Sequence, residues 1–286
     1  MAMINRAEEL LAKTVSDAVY VEKDGVGIIV SERLKREPSI VHGFATRRGG
    51  VSKPPFDTLN LGTSRNEPWD NIMENYKRLS NAFELNFNEL SLVRHEHGDN
   101  IIRLEKEDAG RGVSREQLDF CDGIVTNVPE VTLVTCHADC SGFFIYDKRT
   151  RSIGLAHAGW KGMFKRIGQK LVKRLEDEYG ARPDDMIAAI CPCICRECFE
   201  VEAELAESFA SEFNCPDIFV RGTGEKADKG YVSLQAAAVI QLLDAGVRHE
   251  NISIMDLCTV ENRELFYSYR RDGHDTGSMA AFLRMV

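Results

Sequence analysis

The sequence lacks any long uninterrupted hydrophobic run. Nothing in its 286 residues approaches the roughly 20 consecutive apolar residues that a membrane-spanning helix requires. Residues 1–30 also lack the basic stretch followed by an apolar segment that is typical of a secretory signal. We therefore expect a cytoplasmic protein with no membrane partner.

Positive charge is also scarce. The chain has 36 Lys and Arg against 45 Asp and Glu, for a formal net charge of -9. A surface with this balance disfavours nucleic acid and anionic lipid as partners, although a local basic pocket remains compatible with it. We expect a small-molecule partner, and the charge balance leaves the oligomeric state open between monomer and dimer.

Internal repeats, coiled-coil heptads and low-complexity tracts are absent, and the Pro and Gly residues fall in short turns rather than in an interdomain linker. The chain is therefore expected to form one domain.

Apolar residues recur at helical spacing over residues 70–83, 163–179, 202–213 and 234–245. Strand-like runs cover residues 40–46, 91–94, 131–136, 142–147, 151–156, 186–191, 252–255 and 280–286. The class is mixed α and β.

Two of these strands predict a hairpin. Residues 142–147 and 151–156 are joined by the polar, turn-like sequence Lys-Arg-Thr, which favours antiparallel pairing. That pairing brings the start of the first strand beside the end of the second. Cys140 and His157 are therefore expected at the same end of the sheet.

A thiolate and an imidazole at one sheet edge are compatible with three chemistries, namely zinc binding, copper binding and a Cys-His nucleophile pair. A third potential ligand, His97, follows another short apolar strand. One Cys and two His leave a fourth tetrahedral position open, which is the arrangement of catalytic zinc. The residue types alone are equally compatible with a buried Cys140 and a hydrogen-bonded core His157.

Five motifs follow one another along the chain, namely His42-Gly-Phe-Ala-Thr-Arg-Arg-Gly-Gly-Val-Ser52, His97-Gly98, Ala138-Asp-Cys140, Ala156-His-Ala-Gly-Trp-Lys-Gly162 and Phe266-Tyr-Ser-Tyr-Arg-Arg-Asp-Gly273. In this order they resemble the YfiH/laccase-domain family, whose members are also described as polyphenol oxidases and as purine nucleoside phosphorylases. The resemblance runs from about His42 to the C-terminus and implies a catalytic domain over residues 41–286, with residues 1–40 as an N-terminal extension of that domain.

The resemblance implies a single four-layer α/β/β/α domain of the α+β class with mixed sheets. It implies zinc, or copper as an alternative, on His97, Cys140 and His157. The reactions implied are phosphorolysis of adenosine, inosine, guanosine and S-methyl-5′-thioadenosine, together with adenosine deamination.

These reactions require further groups. A proton carrier is needed for deamination, and Asp139, His137 and Glu96 are near the expected ligands, although each is also compatible with orienting an imidazole. Phosphorolysis needs an anion site, and the resemblance favours the paired arginines for this role over solvated surface arginines. The pairs are Arg47 with Arg48 and Arg270 with Arg271. Trp160, after His157, is expected to be a core anchor.

Nine cysteines without a signal sequence indicate thiols or metal ligands rather than disulfides. Four of them fall within Cys191-Pro-Cys-Ile-Cys-Arg-Glu-Cys198. The family usually shows Gly-Pro-Cys here, so only Cys193 occupies a family position. Buried or redox-sensitive thiols are the preferred interpretation of this cluster, with a second zinc or an iron–sulfur cluster as the alternative.

Three other functions remain open. One is a metal-free hydrolase or deamidase with Cys140 as nucleophile and His157 as base. Another is a peptidoglycan-editing or binding factor with a structural metal. A third is copper-dependent oxidation of phenols, but a multicopper oxidase needs many His-x-His pairs, and the seven histidines include one such pair, His95 and His97.

Overall fold

The computed structural model describes residues 5–64 and 66–286, which form both α-helices and β-strands. No helix among these residues is both long and apolar enough to cross a membrane. The helices, numbered in chain order, are α1 (Arg6–Lys13), α2 (Glu32–Lys35), α3 (Trp69–Ala82), α4 (Trp160–Phe164), α5 (Ile167–Tyr179), α6 (Ala203–Glu212), α7 (Leu234–Asp244) and α8 (Tyr269–Asp272).

The strands of the same residues build two large sheets and one small sheet. The large sheets have the strand orders β1-β15-β11-β9-β10-β7-β6 and β2-β3-β4-β16-β8-β5, and the small sheet is β12-β14-β13. The strands are β1 (Val15–Ser16), β2 (Ala18–Lys23), β3 (Val26–Ser31), β4 (Ile40–Ala45), β5 (Leu90–Leu92), β6 (Ile101–Arg103), β7 (Gly123–Thr126), β8 (Thr132–His137), β9 (Ser141–Asp147), β10 (Ser152–Ala158), β11 (Ile187–Ile190), β12 (Glu200–Glu202), β13 (Phe219–Arg221), β14 (Lys229–Val232), β15 (Ile252–Ile254) and β16 (Met279–Met285).

Alternating side chains of β9 bury both faces of the seven-stranded sheet. Phe143 and Ile145 pack into a core with helices α5 and α7. Phe144 and Tyr146, which point the opposite way, pack into a second core with residues of the other large sheet. A strand buried on both faces is expected to contain a continuous run of large hydrophobic side chains, and β9 has one over residues 143–146.

Strand β16 likewise has buried side chains on both faces of the six-stranded sheet. Ala281 and Leu283 belong to the core between the sheets, whereas Phe282 packs with Tyr76 and Leu79 of α3. The layers therefore run from helices α5 and α7 through the two sheets to helix α3. This order confirms the predicted four-layer α/β/β/α fold of the α+β class.

The structure contains all eight predicted strands and corrects one predicted helix. The helix expected over residues 163–179 is interrupted, because α4 ends at Phe164 and α5 begins at Ile167. Between them Arg166 is left-handed, with φ 62°. Its guanidinium forms ion pairs with Glu212 and Asp244, which hold this backbone conformation. Apolar periodicity gives no signal for such a break.

The N-terminal segment contributes to the six-stranded sheet. Strands β2 and β3 form a hairpin, and β3 pairs antiparallel with β4. Helix α1 is anchored at Ala7, whose N–H donates to Asp217 at 2.8 Å. The division of the chain at residue 40 remains a prediction, and residues 1–4 lie outside the described part.

Gly168 allows α5 to approach the sheet closely. A Cβ at this position would lie 2.5 Å from Cζ of the buried Phe143 ring. We predict that Gly168→Ala lowers the free energy of unfolding by about 1–3 kcal/mol through overpacking, despite the higher helix propensity of Ala. Urea denaturation measures this change. Lys173→Ala, on the exposed side of the same helix, serves as control, and an equal loss in both variants would contradict the packing argument.

Candidate metal centre

The hairpin of β9 and β10 brings Cys140 and His157 together, as the sequence predicted. In the antiparallel register His157 pairs with Gly142, and Ala158 pairs with Ser141. Cys140 immediately precedes β9, and His157 lies one residue before the end of β10. The two side chains therefore share one end of the seven-stranded sheet.

The neighbouring strand β7 adds Asp122, which the sequence analysis missed. Because Gly123 pairs with Ala156, the residue before β7 lies beside the end of β10. The His157 N–H donates to the Asp122 carbonyl at 2.7 Å, and His157 Nδ1 donates to Asp122 Oδ1 at 2.9 Å. Asp122 is completely buried.

The same carboxylate positions the loop that carries His97. It accepts hydrogen bonds from three consecutive N–H groups, at 3.2 Å from Glu96, 3.2 Å from His97 and 2.7 Å from Gly98. His97 has φ 57°, a left-handed conformation that is uncommon for residues other than Gly. Several bonds to one buried acceptor explain how this conformation is held.

Three donor atoms converge where these elements meet. One ligand atom from each of His97, Cys140 and His157 lies within 4.8 Å of the other two. Gly159 stands beside them, since a Cβ there would lie 3.1 Å from His97 Cδ2 and 3.5 Å from Cys140 Sγ. A side chain at this position would crowd the space between the donors.

Hydrogen bonding defines the tautomers of two histidines. His157 Nδ1 donates to Asp122, so its Nε2 carries the lone pair. His95 Nε2 accepts the Cys136 N–H at 3.0 Å, so its Nδ1 carries the proton and faces Asp122 Oδ1 at 3.4 Å. A carboxylate behind an imidazole is the usual support of a metal-binding histidine.

Burial and neighbouring charges shift the pKa values of this group strongly. Burial raises the pKa of Cys140 to about 12, with Asp139 and Asp122 adding to the effect. Burial lowers the pKa of His157 to about 3 against the opposing bond to Asp122. For Asp122, burial alone would raise the pKa, but the hydrogen bonds from His157 and His95 outweigh it and hold the pKa well below its ordinary value.

A cavity of about 580 Å³ opens onto His97, Cys140 and His157. Aromatic side chains line it as well, namely Trp160, Phe199 and Tyr269. Trp160 is 41% exposed, so the expectation that it anchors the core is wrong. It begins helix α4 immediately after the turn at Gly159, and this turn directs the ring to the cavity rather than to the core.

Asp139 and Arg270 lie together at the cavity wall. Asp139 accepts hydrogen bonds from Thr259 Oγ1 at 2.6 Å, Ser268 Oγ at 3.0 Å and the Arg270 N–H at 2.6 Å. Asp139 thus ties the start of α8 to the loop before β9. The Arg270 guanidinium donates through Nη1 to the carbonyls of Cys198 and Glu200, at 3.2 and 2.9 Å.

Of the four arginines considered for phosphate, Arg270 is the one that lines the cavity within the described residues. Arg47 donates to the Asp57 carbonyl and pairs with the Asp57 carboxylate. Arg48 donates to the Glu264 carbonyl at 3.0 Å. Arg271 donates to the carbonyls of Thr259, Val260 and Phe266. These three side chains hold loops together.

Comparisons with known proteins agree with this fold. The family model described as "Multi-copper polyphenol oxidoreductase laccase" matches residues 41–286. The chain is 32% identical over 248 residues to "Purine nucleoside phosphorylase YlmD" of Bacillus subtilis, which covers 86% of this chain and 88% of that protein.

Two crystal structures are also similar. The hypothetical protein YfiH of Bacillus licheniformis matches with a TM-score of 0.85 and 27% identity, over 93% of this chain and 99% of that chain. YlmD from Geobacillus stearothermophilus matches with a TM-score of 0.85 and 28% identity, over 94% of this chain and 99% of that chain. The chain therefore belongs to the YfiH/laccase-domain family.

Proposed function

We propose that the protein is a zinc-dependent purine nucleoside phosphorylase that also deaminates adenosine. The proposed substrates are adenosine, inosine, guanosine and S-methyl-5′-thioadenosine, with phosphate. The observation that carries the proposal is the convergence of His97, Cys140 and His157 on one wall of the 580 Å³ cavity. Cavities of this size accommodate small organic ligands.

The donor set fits zinc. Two imidazoles and one thiolate leave one tetrahedral position open, and His157 has the carboxylate support that zinc ligands usually have. Copper is a chemically compatible alternative at these three residues, but the seven histidines are too few for multicopper catalysis. When bound, zinc supplies Lewis acidity at the open position.

The cavity wall offers complementary groups for both substrates. Arg270 has guanidinium N–H donors beyond the Nη1 bonds to Cys198 and Glu200, and such donors match phosphate oxygens. Trp160 and Tyr269 line the same cavity, and we propose that their rings stack on the purine base. In phosphorolysis a phosphate oxygen bonds to C1′ of the sugar, and the electron pair of the bond between C1′ and N9 leaves with the purine.

Two carboxylates, those of Asp139 and Asp122, hold Arg270 and His157 in position at the cavity. Asp139 accepts three hydrogen bonds, from Thr259, Ser268 and Arg270. We therefore assign Asp139 as the residue that positions Arg270, in place of the proton-carrying role expected from the sequence. Asp122 holds His157 in the tautomer that directs Nε2 away from the carboxylate.

The pKa shifts disfavour a metal-free Cys-His enzyme. A nucleophilic thiolate paired with an imidazolium needs a lowered thiol pKa. Burial instead raises the pKa of Cys140 to about 12 and lowers that of His157 to about 3, so both groups are neutral at pH 7. A metal ion bound to Cys140 would instead stabilise its thiolate, because the positive ion compensates the negative charge.

We further propose a cytoplasmic location, in which the nine free thiols remain reduced. We also propose that the catalytic unit is residues 41–286 with residues 1–40 as an extension of the same domain, which the pairing of β3 with β4 supports.

Cys140→Ser tests the central assignment. We expect this variant to lose about one equivalent of zinc and the release of hypoxanthine from inosine and phosphate, with an unchanged circular dichroism spectrum. Cys215→Ser, at a buried cysteine outside the cavity, is the control and should keep both the zinc equivalent and the release of hypoxanthine. A metal-free wild type with full turnover would instead identify Cys140 as a nucleophile.

Asp122→Asn tests the carboxylate support. The amide keeps the shape but removes the charge that orients His157 and the His97 loop. We expect the zinc equivalent that depends on Cys140 to bind roughly 10- to 100-fold more weakly in competition with a chelator. Asp99→Asn is the control, because Asp99 pairs with Lys165 and Lys170 at the surface. Unchanged affinity in Asp122→Asn would remove this residue from the site.

Arg270→Ala tests the phosphate site. We expect KM for phosphate to rise roughly 10- to 100-fold, which corresponds to the loss of a hydrogen bond to a charged group. Deamination of adenosine, which uses no phosphate, should change far less. Arg48→Ala is the matched control, and a larger effect on KM in that variant would place phosphate on the loop of Arg47 and Arg48.

A further inference from the structure

The cysteines of residues 191–198 separate into two environments. Cys191 and Cys193 are completely buried and pack into the two hydrophobic cores on either side of the seven-stranded sheet. Cys195 and Cys198 are partly exposed. The dense run of thiols in the sequence is thus two structural cysteines followed by a Cys-Arg-Glu-Cys turn.

A distant cysteine joins this turn. Cys193 forms an isolated parallel bridge with Cys258, which aligns the two segments. The Cys195 N–H donates to Cys258 Sγ at 3.4 Å. The sulfur atoms of Cys195, Cys198 and Cys258 all lie within 4.8 Å of one another. None of these three belongs to the group of His97, Cys140 and His157.

The backbone of the turn has the form that a two-cysteine metal clamp requires. The Cys195 carbonyl accepts the N–H of Cys198 at 3.2 Å and that of Phe199 at 3.0 Å. This closes the chain tightly between the two thiols. The spacing of two residues between cysteines is that of zinc ligand pairs, and a backbone N–H directed at sulfur stabilises a thiolate.

We propose that Cys195, Cys198 and Cys258 form a second metal site, which takes a soft, thiophilic ion such as Zn²⁺ through three thiolates. The partial exposure of Cys195 and Cys198 leaves the fourth tetrahedral position to solvent. The described residues supply three sulfur ligands here, whereas iron–sulfur clusters take four. Binding displaces the three thiol protons into solvent.

The site joins two segments that border the cavity. The Cys198 carbonyl accepts a hydrogen bond from Arg270 Nη1 at 3.2 Å. Thr259, which follows Cys258, donates to Asp139 at 2.6 Å. An ion bound to the three thiolates therefore cross-links the segment that holds the Arg270 guanidinium to the segment that anchors Asp139. The role of the ion is structural.

Metal stoichiometry of the full chain tests the proposal independently of the first centre. Reduced protein is loaded anaerobically with Zn²⁺ and freed of excess ion. We expect Cys140→Ser to retain about one equivalent of zinc, and Cys140→Ser/Cys258→Ser to retain none. Cys140→Ser/Cys215→Ser, which removes a buried cysteine elsewhere, should retain the equivalent.

Cobalt gives a second readout, because thiolate ligands produce charge-transfer absorption in the near ultraviolet. Co²⁺ added to Cys140→Ser should produce this absorption, and Cys198→Ser in the same background should abolish it. Cys198 is partly exposed, so this variant is expected to fold even where Cys258→Ser does not. Absence of bound zinc and of the cobalt absorption in Cys140→Ser would overturn the proposal.

Discussion

The buried carboxylate of Asp122 is the interaction on which the candidate site depends. It accepts hydrogen bonds from the imidazole of His157 and from the three N–H groups of residues 96–98. One side chain thus connects strands β7 and β10 to the loop that carries His97. Because a buried carboxylate is costly to leave unpaired, these donors and this acceptor hold one another in place.

Glycines determine how closely the elements around this carboxylate pack. Gly162 of helix α4 faces the same loop, and a Cβ there would lie 2.5 Å from the Gly98 carbonyl oxygen. Gly159 leaves room beside the three donor atoms in the same way. The motif from Ala156 to Gly162 therefore serves as a short rigid turn, which brings both His157 and Trp160 to the wall of one cavity. Rigid support of this kind preorganises a site.

The sequence predicted the parts of this structure that depend on local patterns. The β9–β10 hairpin follows from two apolar strands and a polar turn, so Cys140 and His157 could be paired in advance. Asp122 was missed because a single Asp before an apolar strand has no distinctive pattern, and its role arises from the pairing of β7 with β10. The break at Arg166 and the outward position of Trp160 likewise depend on tertiary contacts. Paired arginines predicted a phosphate site equally at two loops, yet of these four side chains Arg270 is the one that lines the cavity within the described residues.

Charge balance differs between the two proposed metal sites. At the first site a divalent ion, the Cys140 thiolate and the Asp122 carboxylate sum to zero, so the completely buried carboxylate has a compensating charge nearby. At the second site three thiolates around a divalent ion leave one negative charge. That charge is compatible with the partial exposure of Cys195 and Cys198, and the Arg270 guanidinium binds the adjacent Cys198 carbonyl. The first site is therefore neutral around its buried carboxylate, and the second, negatively charged site lies where solvent and an arginine stabilise it.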